Sequence, residues 1–291
     1  MKDYNLTLHN DNKISHFTTG RMDQAKLSSD FTLRFVLSGS EICQINKRSI
    51  GVNPNCFLLI QQGTHYVTSG EIEEPSEVLS LSYSNSFLKD FLNSVRFTNR
   101  QLLNGRTCPC SFAEEGNETI YPFTGNIKYN IYHLRAVVRE RSTDELLLNE
   151  YLYHCLINYY NILREETCLK TESIKLKHNS TRTEVFRRLK LAREYMYTNQ
   201  SHNITLEELS AYSCLSVNHL LRTFKQAFNQ SPHQFLTSIR LQKALFLLKN
   251  SRYSVNEIAS MVGFDSPSSF IRLFRVKMKV TPNVYKQQVL S

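Results

Sequence analysis

No stretch of this 291-residue chain approaches the run of about 18 apolar residues that a membrane-spanning helix needs. The N-terminal MKDYNLTLHNDNK is polar and has no apolar centre of the kind a signal peptide carries. A cytoplasmic protein with no membrane partner is the expectation from both absences. Cysteine is sparse: 7 residues, an odd number, scattered and without a CxxC pair. That usage suits reduced thiols better than a disulfide framework. CPC at Cys108 to Cys110 invites a redox or thiolate-metal reading, but a Cys-x-Cys bridge is strained and no basic cluster stands near it beyond Arg106.

Positive charge is also missing from most of the chain. The first 180 residues hold 19 Lys and Arg against 20 Asp and Glu, whereas Thr181 to Ser291 holds 16 against 6, a net +10 in a protein whose total is +9. The whole excess therefore sits in the C-terminal third. Cations gathered on a folded domain release the counterions condensed on nucleic-acid phosphates, so a block of this kind is the footprint of a nucleic-acid-binding domain, with a merely solvated basic surface as the alternative.

That basic third repeats itself. TLEELSAYSCLSVNHLLRTFKQAFNQSP, Thr205 to Pro232, is followed by SVNEIASMVGFDSPSSFIRLFRVKMKVTP, Ser254 to Pro282. Glu257 falls on Glu208 at an offset of 49; after one inserted residue, Phe270, Arg272, Phe274, Pro282 and Tyr285 fall on Leu220, Arg222, Phe224, Pro232 and Phe235 at an offset of 50. Each copy opens with a capping box, Thr205-Leu-Glu-Glu208 or Ser254-Val-Asn-Glu257, and continues through a short amphipathic helix and a turn to a second start at Ser216 or at Ser266-Pro267. This is helix-turn-helix grammar. Leu220, Phe224 and Phe228, then Phe270, Phe274 and Met278, recur at helical intervals and are expected in the core.

The residues left outward on the second helix of each copy are Asn218, His219, Arg222 and Lys225, then Ser268, Ser269, Arg272 and Arg275. Arg pairs with guanine, Asn with adenine and hydroxyls with several bases, and a major groove admits one helix. Leu221 and Ile271, also expected outward, suit a thymine methyl. For Arg222 and Arg272 the plainer alternative is phosphate neutralisation or pairing with a nearby acid. Between the copies, SPHQFLTSIRLQKALFLLKN reads as a helix of about 17 residues, about 25 Å long, compatible with recognition helices one duplex turn, roughly 34 Å, apart. Ahead of the first copy, TEVFRRLKLAREYMYTN carries an apolar stripe of Val185, Leu189, Ala192 and Met196, with Arg187, Arg188, Lys190 and Arg193 expected mostly elsewhere.

From about Thr183 to Gln288 the chain resembles the DNA-binding domain of the AraC/XylS transcriptional regulators. IASMVGFDSPSSFIRLFRVKMKVTPNVY is similar to that family's C-terminal signature, with Ala259, Gly263, Phe264, Phe270, Arg272, Phe274, Pro282 and Tyr285 in the signature positions. The family usually closes each second helix with Gly, and here Asn229 and Lys279 stand instead. Asn accepts a left-handed cap, but Lys there costs on the order of 1 kcal/mol, so the end of the second unit is expected to be shaped slightly differently. The resemblance implies that the outward residues contact double-stranded promoter DNA, that promoter activity is the output with RNA polymerase as a further partner, and that the protein is neither an enzyme nor cofactor-dependent.

Between Asp30 and about Ser84 the pattern changes to FTLRFVLSGS, EICQINKRSIGVNP, CFLLIQQGTH and EVLSLSYS, short runs punctuated by Gly39, Asn46, Gly51, Pro54 and Gly63. These are strand signals, read as a meander of the kind found in small antiparallel barrels. The stretch resembles the cupin-type sensor domain that many AraC regulators carry, which implies a small-molecule effector. Arg34, His65 and Tyr83 are the candidate polar groups lining its cavity, against the alternative that they lie outside. A metal site needs several converging imidazoles or carboxylates, and there is no HxH pair near Cys43 to begin one.

After Gly125 the signal is helical. Ser142-Thr-Asp-Glu145 reads as a capping box, followed by a heptad-like seam of Leu148, Leu152, Cys155, Tyr159 and Ile162. The seam either packs on the barrel or pairs with a second subunit; the family resemblance favours a homodimer. REETCLKTESIKLKHNSTR is polar and reads as a linker. The expected architecture is α+β: residues 1–165 a cupin-like β-barrel with dimerisation helices, 166–182 a linker, and 183–291 an all-α domain of two helix-turn-helix units joined by a helix. Two other functions stay open at this point, a metal-dependent cupin enzyme with a DNA-binding appendage and an architectural DNA binder indifferent to sequence.

Overall fold

Phe31–Ser38 (β4) is covered on both faces: Phe31, Leu33, Phe35 and Leu37 are buried, and so are Thr32, Arg34 and Val36 between them. A strand of that kind belongs inside a sheet, and in the computed structural model β4 is paired with Cys56–Ile60 (β7) on one side and Ser76–Tyr83 (β9) on the other. Residues 3–19, 25–28, 30–70, 75–97 and 118–290 are described; Cys108 and Cys110 lie outside them. The chain divides into two compact units, Met1–Arg164 and Glu165–Ser291.

In the first unit Tyr4–Thr7 (β1) and Lys13–Thr19 (β2) extend the sheet beyond β9, and Thr119–Pro122 (β10) extends it beyond β7, giving the order β1-β2-β9-β4-β7-β10. A second antiparallel sheet has the order Ala25–Ser28 (β3), His65–Gly70 (β8), Glu41–Ile45 (β5), Arg48–Val52 (β6). The four runs anticipated from the sequence are strands, but their order is not the expected meander. β4 and β5 follow each other in the chain and lie in different sheets. The burial patterns say why: β4 needs neighbours on both faces, while β5 alternates between buried and exposed residues and needs only one. Gly39 makes the turn between them at φ +71°, where a Cβ would stand 2.6 Å from Ser76 Oγ.

Asn85–Arg96 (α1), Gly125–Arg139 (α2) and Glu145–Arg164 (α3) share one apolar core with the six-stranded sheet. The seam of α3 is consumed there: Leu148, Leu152, Cys155 and Tyr159 are fully buried, with Tyr159 edge-on to Tyr121 at 5.4 Å, and Ile162 is partly buried against the same core. Dimerisation through this seam is therefore corrected to packing on the unit's own sheet. The start of α3 also differs from the expected box. Asp144 Oδ1 accepts the Leu147 N–H at 3.1 Å, and Glu145 is drawn away to His9, 2.6 Å from its Nδ1.

The second unit consists of the π-helical turn Glu165–Lys170 and seven α-helices: Asn179–Thr198 (α4), Leu206–Ser213 (α5), Val217–Phe228 (α6), Pro232–Asn250 (α7), Val255–Met261 (α8), Pro267–Met278 (α9) and Pro282–Leu290 (α10). The segment anticipated as a linker is part of this unit. Thr171 and Ile174 are buried, Lys175 N–H donates to Gln226 Oε1 at 3.1 Å, and Glu166 forms an ion pair with Arg193. Arg193, expected outside the apolar stripe of α4, is buried by that pairing, because a cation leaves water only where a partner compensates it. The stripe itself, Val185, Leu189, Ala192 and Met196, is in the core.

Candidate nucleic-acid interface

The two copies of the repeat have the same construction atom by atom at most points. Thr205 Oγ1 accepts the Glu208 N–H at 3.1 Å while the Glu208 carboxylate accepts the Thr205 N–H at 2.8 Å. Ser254 and Glu257 repeat this at 3.2 and 2.7 Å. These boxes start α5 and α8. The first helix of each copy ends in a left-handed turn, at Cys214 (φ +53°) and at Gly263 (φ +87°), the residue 49 positions later. Leu215 N–H donates to Ser210 O at 3.1 Å, and Phe264 N–H to Ala259 O at 3.0 Å, so both turns satisfy the same terminal carbonyl.

The second helices, α6 and α9, have 12 residues each and bury equivalent side chains. Leu220 and Phe224 are fully buried in one, Phe270 and Phe274 in the other, while Phe228 and Met278 are half-buried at their ends. Phe224 meets Phe235 edge-on at 5.5 Å, and Phe274 meets Tyr285 edge-on at 5.7 Å, the same contact made 50 residues later. The N-termini differ: Ser266 Oγ accepts the Ser269 N–H at 3.2 Å ahead of Pro267, while the Ser216 hydroxyl makes no such bond. At the C-termini, Asn229 (φ +56°) and Lys279 (φ +64°) both adopt the left-handed cap. The end of the second unit is thus not reshaped by the lysine; its backbone takes the conformation glycine would, with a Cβ in place.

Asn218, Arg222, Lys225, Ser268, Ser269, Arg272 and Arg275 are all exposed. No ion pair engages Arg222, Lys225, Arg272 or Arg275 among the described residues, unlike Arg187 and Arg188 of α4, which share Glu184. The four sequence pairs Asn218/Ser268, His219/Ser269, Arg222/Arg272 and Lys225/Arg275 keep the offset of 50, so corresponding positions of α6 and α9 present a short polar group, a second polar group and two cations in the same order. His219, Leu221 and Ile271 are half-buried, recessed beside these exposed neighbours, because each borders the apolar face of its helix. The Ser269 hydroxyl accepts from Ser266 Oγ at 2.9 Å, which fixes its position at the start of α9.

The three candidate effector residues are not brought together. His65 is exposed at the head of β8, a correction to its expected place in a cavity. Tyr83 is buried in the core between sheet and helices, where its hydroxyl donates to Leu152 O at 3.3 Å, so it too lines no cavity between the sheets. Arg34 bridges the two sheets: its Nε and a terminal nitrogen donate to the two Glu41 oxygens at 2.6 and 2.7 Å, between the rings of Phe17 and Tyr66. Burial alone would lower the Arg34 pKa, and the hydrogen bonds and charge of Glu41 reverse this and leave it raised. Cys43, beside this pair, has its thiol pKa raised by burial and by the Glu41 charge. Among the described residues no three His, Cys, Asp or Glu side chains converge as a metal would require, and no helix is long and apolar enough to cross a membrane.

A helix-turn-helix domain family model matches residues 209–288, from within α5 to the end of the second copy. An uncharacterized HTH-type transcriptional regulator of Bacillus subtilis is 25% identical over 264 residues, 87% of this chain and 82% of its own length. The raffinose operon transcriptional regulatory protein of Pediococcus pentosaceus is 29% identical over 62% of this chain and 59% of its own. Among solved structures, the C-terminal domain of AraT, a response regulator from Geobacillus stearothermophilus, is 33% identical, with 35% of this chain and 84% of that one covered and a TM-score of 0.34. Two capped helix-turn-helix units, in a segment that the domain model matches and whose relatives are transcriptional regulators, assign the C-terminal segment to the AraC-type helix-turn-helix domains.

Proposed function

We propose that the protein controls transcription by laying α6 and α9 in successive major grooves of promoter DNA. Asn218, Arg222, Ser268, Ser269 and Arg272 face base edges, Lys225 and Arg275 face phosphates, and His219 and Leu221 border the contact. The observation that carries this reading is the repeat of exposed, ion-pair-free cations at equivalent positions of two helices that share one fold. An architectural binder would need the charge but not the matched polar residues that precede the cations on both helices. The Met1–Arg164 unit acts as a cupin-like sensor in the cytoplasm, holding a small-molecule effector that changes how DNA is engaged, with RNA polymerase as the downstream partner. A homodimer, on this reading, forms through a surface other than the buried seam of α3. The relationship to a raffinose-operon regulator makes oligosaccharides the first effectors to titrate.

Selection of duplexes from a random pool by the full chain tests the reading. Enrichment of one sequence in two blocks is the expected result. Enrichment of no sequence, with binding that unrelated duplex competes away at equal weight, would leave only an architectural role. A stoichiometric transition metal in the purified protein would favour the enzyme reading instead.

A further inference from the structure

α7 serves two cores in succession. Phe235, in its first half, packs on Tyr197, Phe224 and Phe228 of the first helix-turn-helix unit. Leu241, Ala244, Leu247 and Leu248, in its second half, pack with α8 and α9. Where the helix passes from one core to the other stands Arg240. Its Nε donates to Gln200 O at 2.8 Å, and a terminal nitrogen donates to His202 O at 2.6 Å, gripping the loop between α4 and α5. Lys243, one turn on, reaches Ser201 Oγ at 3.0 Å. The other face of the Arg240 guanidinium lies over the Phe264 ring, 5.9 Å from its centroid, in the turn of the second unit.

Gly263 completes the contact. A Cβ there would stand 2.8 Å from Gln200 O, 2.9 Å from Ser201 O and 3.0 Å from an Arg240 terminal nitrogen, and its φ of +87° excludes ordinary side chains in any case. The loop of the first unit and the turn of the second therefore touch backbone to backbone, with Arg240 bonded to one and stacked on the other. The repeat gives this its meaning. At the offset of 50, the residue corresponding to Arg240 is Leu290, so the fork of Arg240 is no part of the unit that is duplicated. A group that either helix-turn-helix needed for its own fold would be expected twice. Apolar packing on α7 is less directional than hydrogen bonding, and two hydrogen bonds from one planar guanidinium define the rotation about the helix axis more sharply.

We propose that Arg240, closing on Gln200 and His202 against Gly263, is a positioning residue that sets the separation and phase of α6 and α9, and so the spacing between the two DNA blocks the protein accepts. This rests on the reading of α6 and α9 as recognition helices. One inserted base pair moves the second block by about 3.4 Å and turns it by about 34°, more than a fixed pair of helices can follow.

The experiment uses the full chain and the two-block duplex that it selects, together with versions carrying one base pair more or one fewer between the blocks. The native protein is expected to lose about tenfold or more in affinity on either change, and Arg240→Met to lose about threefold or less, at unchanged helicity. Arg240→Lys, which keeps the charge but loses the rigid planar fork, is expected between them. An Arg240→Met protein that binds more weakly yet keeps the native spacing penalty would overturn the proposal. So would the failure of both variants to melt cooperatively, since Arg240 would then be a folding residue. A pool that returns no shared sequence overturns the recognition reading and this inference with it; a shared sequence with an unaltered penalty counts against Arg240 alone.

Discussion

Glu166 of the π-helical turn and Arg193 of α4 face each other as an ion pair in which each side chain is 1% exposed. One carboxylate oxygen bonds a terminal nitrogen of Arg193 closely, and the other lies 3.3 Å from its second terminal nitrogen. Burial tends to raise the Glu166 pKa, and the charge and hydrogen bonds of Arg193, with Lys170 and Lys190 behind them, leave it lowered. Glu166→Ala, which strands a buried guanidinium, is expected to destabilise the second unit by about 3–5 kcal/mol in urea unfolding, whereas Glu166→Met combined with Arg193→Met is expected to recover most of that loss. Equal losses in both variants would mean that the pair contributes no more than its packing.

At the interface the contrast to test is between base and phosphate contacts. Arg222→Ala and Arg272→Ala are each expected to weaken binding to the selected duplex by about 1–3 kcal/mol and to relax preference at one block. Lys225→Ala is expected to weaken all duplexes alike and to reduce the slope of log affinity against log salt by about 1. Titrations at several salt concentrations on native and base-substituted duplexes separate the two patterns; an Arg272→Ala protein with unrelaxed preference would make Arg272 a phosphate contact.

Lys279 holds a left-handed conformation with a Cβ in place. Lys279→Gly is expected to stabilise the second unit by about 1 kcal/mol, and Asn229→Gly by less, since Asn tolerates that region. Thermal melting of the two variants beside the native chain gives the comparison. A fall in melting temperature for Lys279→Gly would show that its side chain does more at the end of α9 than its backbone geometry indicates.

Leu152 is fully buried in the core shared by α3 and the six-stranded sheet. Leu152→Ala is expected to cost about 2–5 kcal/mol of stability in the first unit, by the same amount at low and high protein concentration. A loss that disappears as concentration rises would return the seam to a subunit interface.

Glu77, at the start of β9, accepts from His16 Nε2 at 2.7 Å and from Arg135 and Arg139 of α2. Burial works to raise its pKa, and the hydrogen bonds from His16 and Arg135, together with the Arg135 and Arg139 charges, lower it from 4.5 to about 2. A carboxylate whose folded pKa is depressed binds fewer protons folded than unfolded, so its contribution is present above pH 4.5 and is lost as pH falls towards 2. Glu77→Gln is expected to flatten the dependence of stability on pH in that window, measured by urea unfolding of the first unit at stepwise lower pH.

The sequence was legible where a local signal coincides with the physical cause of the structure. Thr205 with Glu208 and Ser254 with Glu257 are capping boxes in both readings because the bonds are closed within four residues. The strands β4, β5, β6, β7 and β9 are legible from apolar runs and the turn residues between them, while β1, β2, β3, β8, β10 and α1 carry no comparable pattern in the sequence. Ser142 does not take the cap its sequence suggests, because Asp144 accepts the Leu147 N–H and Glu145 is engaged by His9, more than a hundred residues away. Arg240 left no trace in the repeat at all, since its acceptors are main-chain carbonyls, and any residue type supplies those.

Taken alone, the amino-acid order determined the duplicated helix-turn-helix, its caps, the aromatic residues of its cores and the charge on its second helices, because helix period, capping and exposed charge are all local. Which sheet each strand joins, that α3 spends its seam on its own core, that residues 165–182 belong to the second unit, and that Arg240 touches both the loop of one helix-turn-helix copy and the turn of the other were decided only in three dimensions. Each of these depends on a partner distant in the chain, and the pairing of a buried charge or a strand edge is chosen by what the rest of the fold leaves unsatisfied beside it.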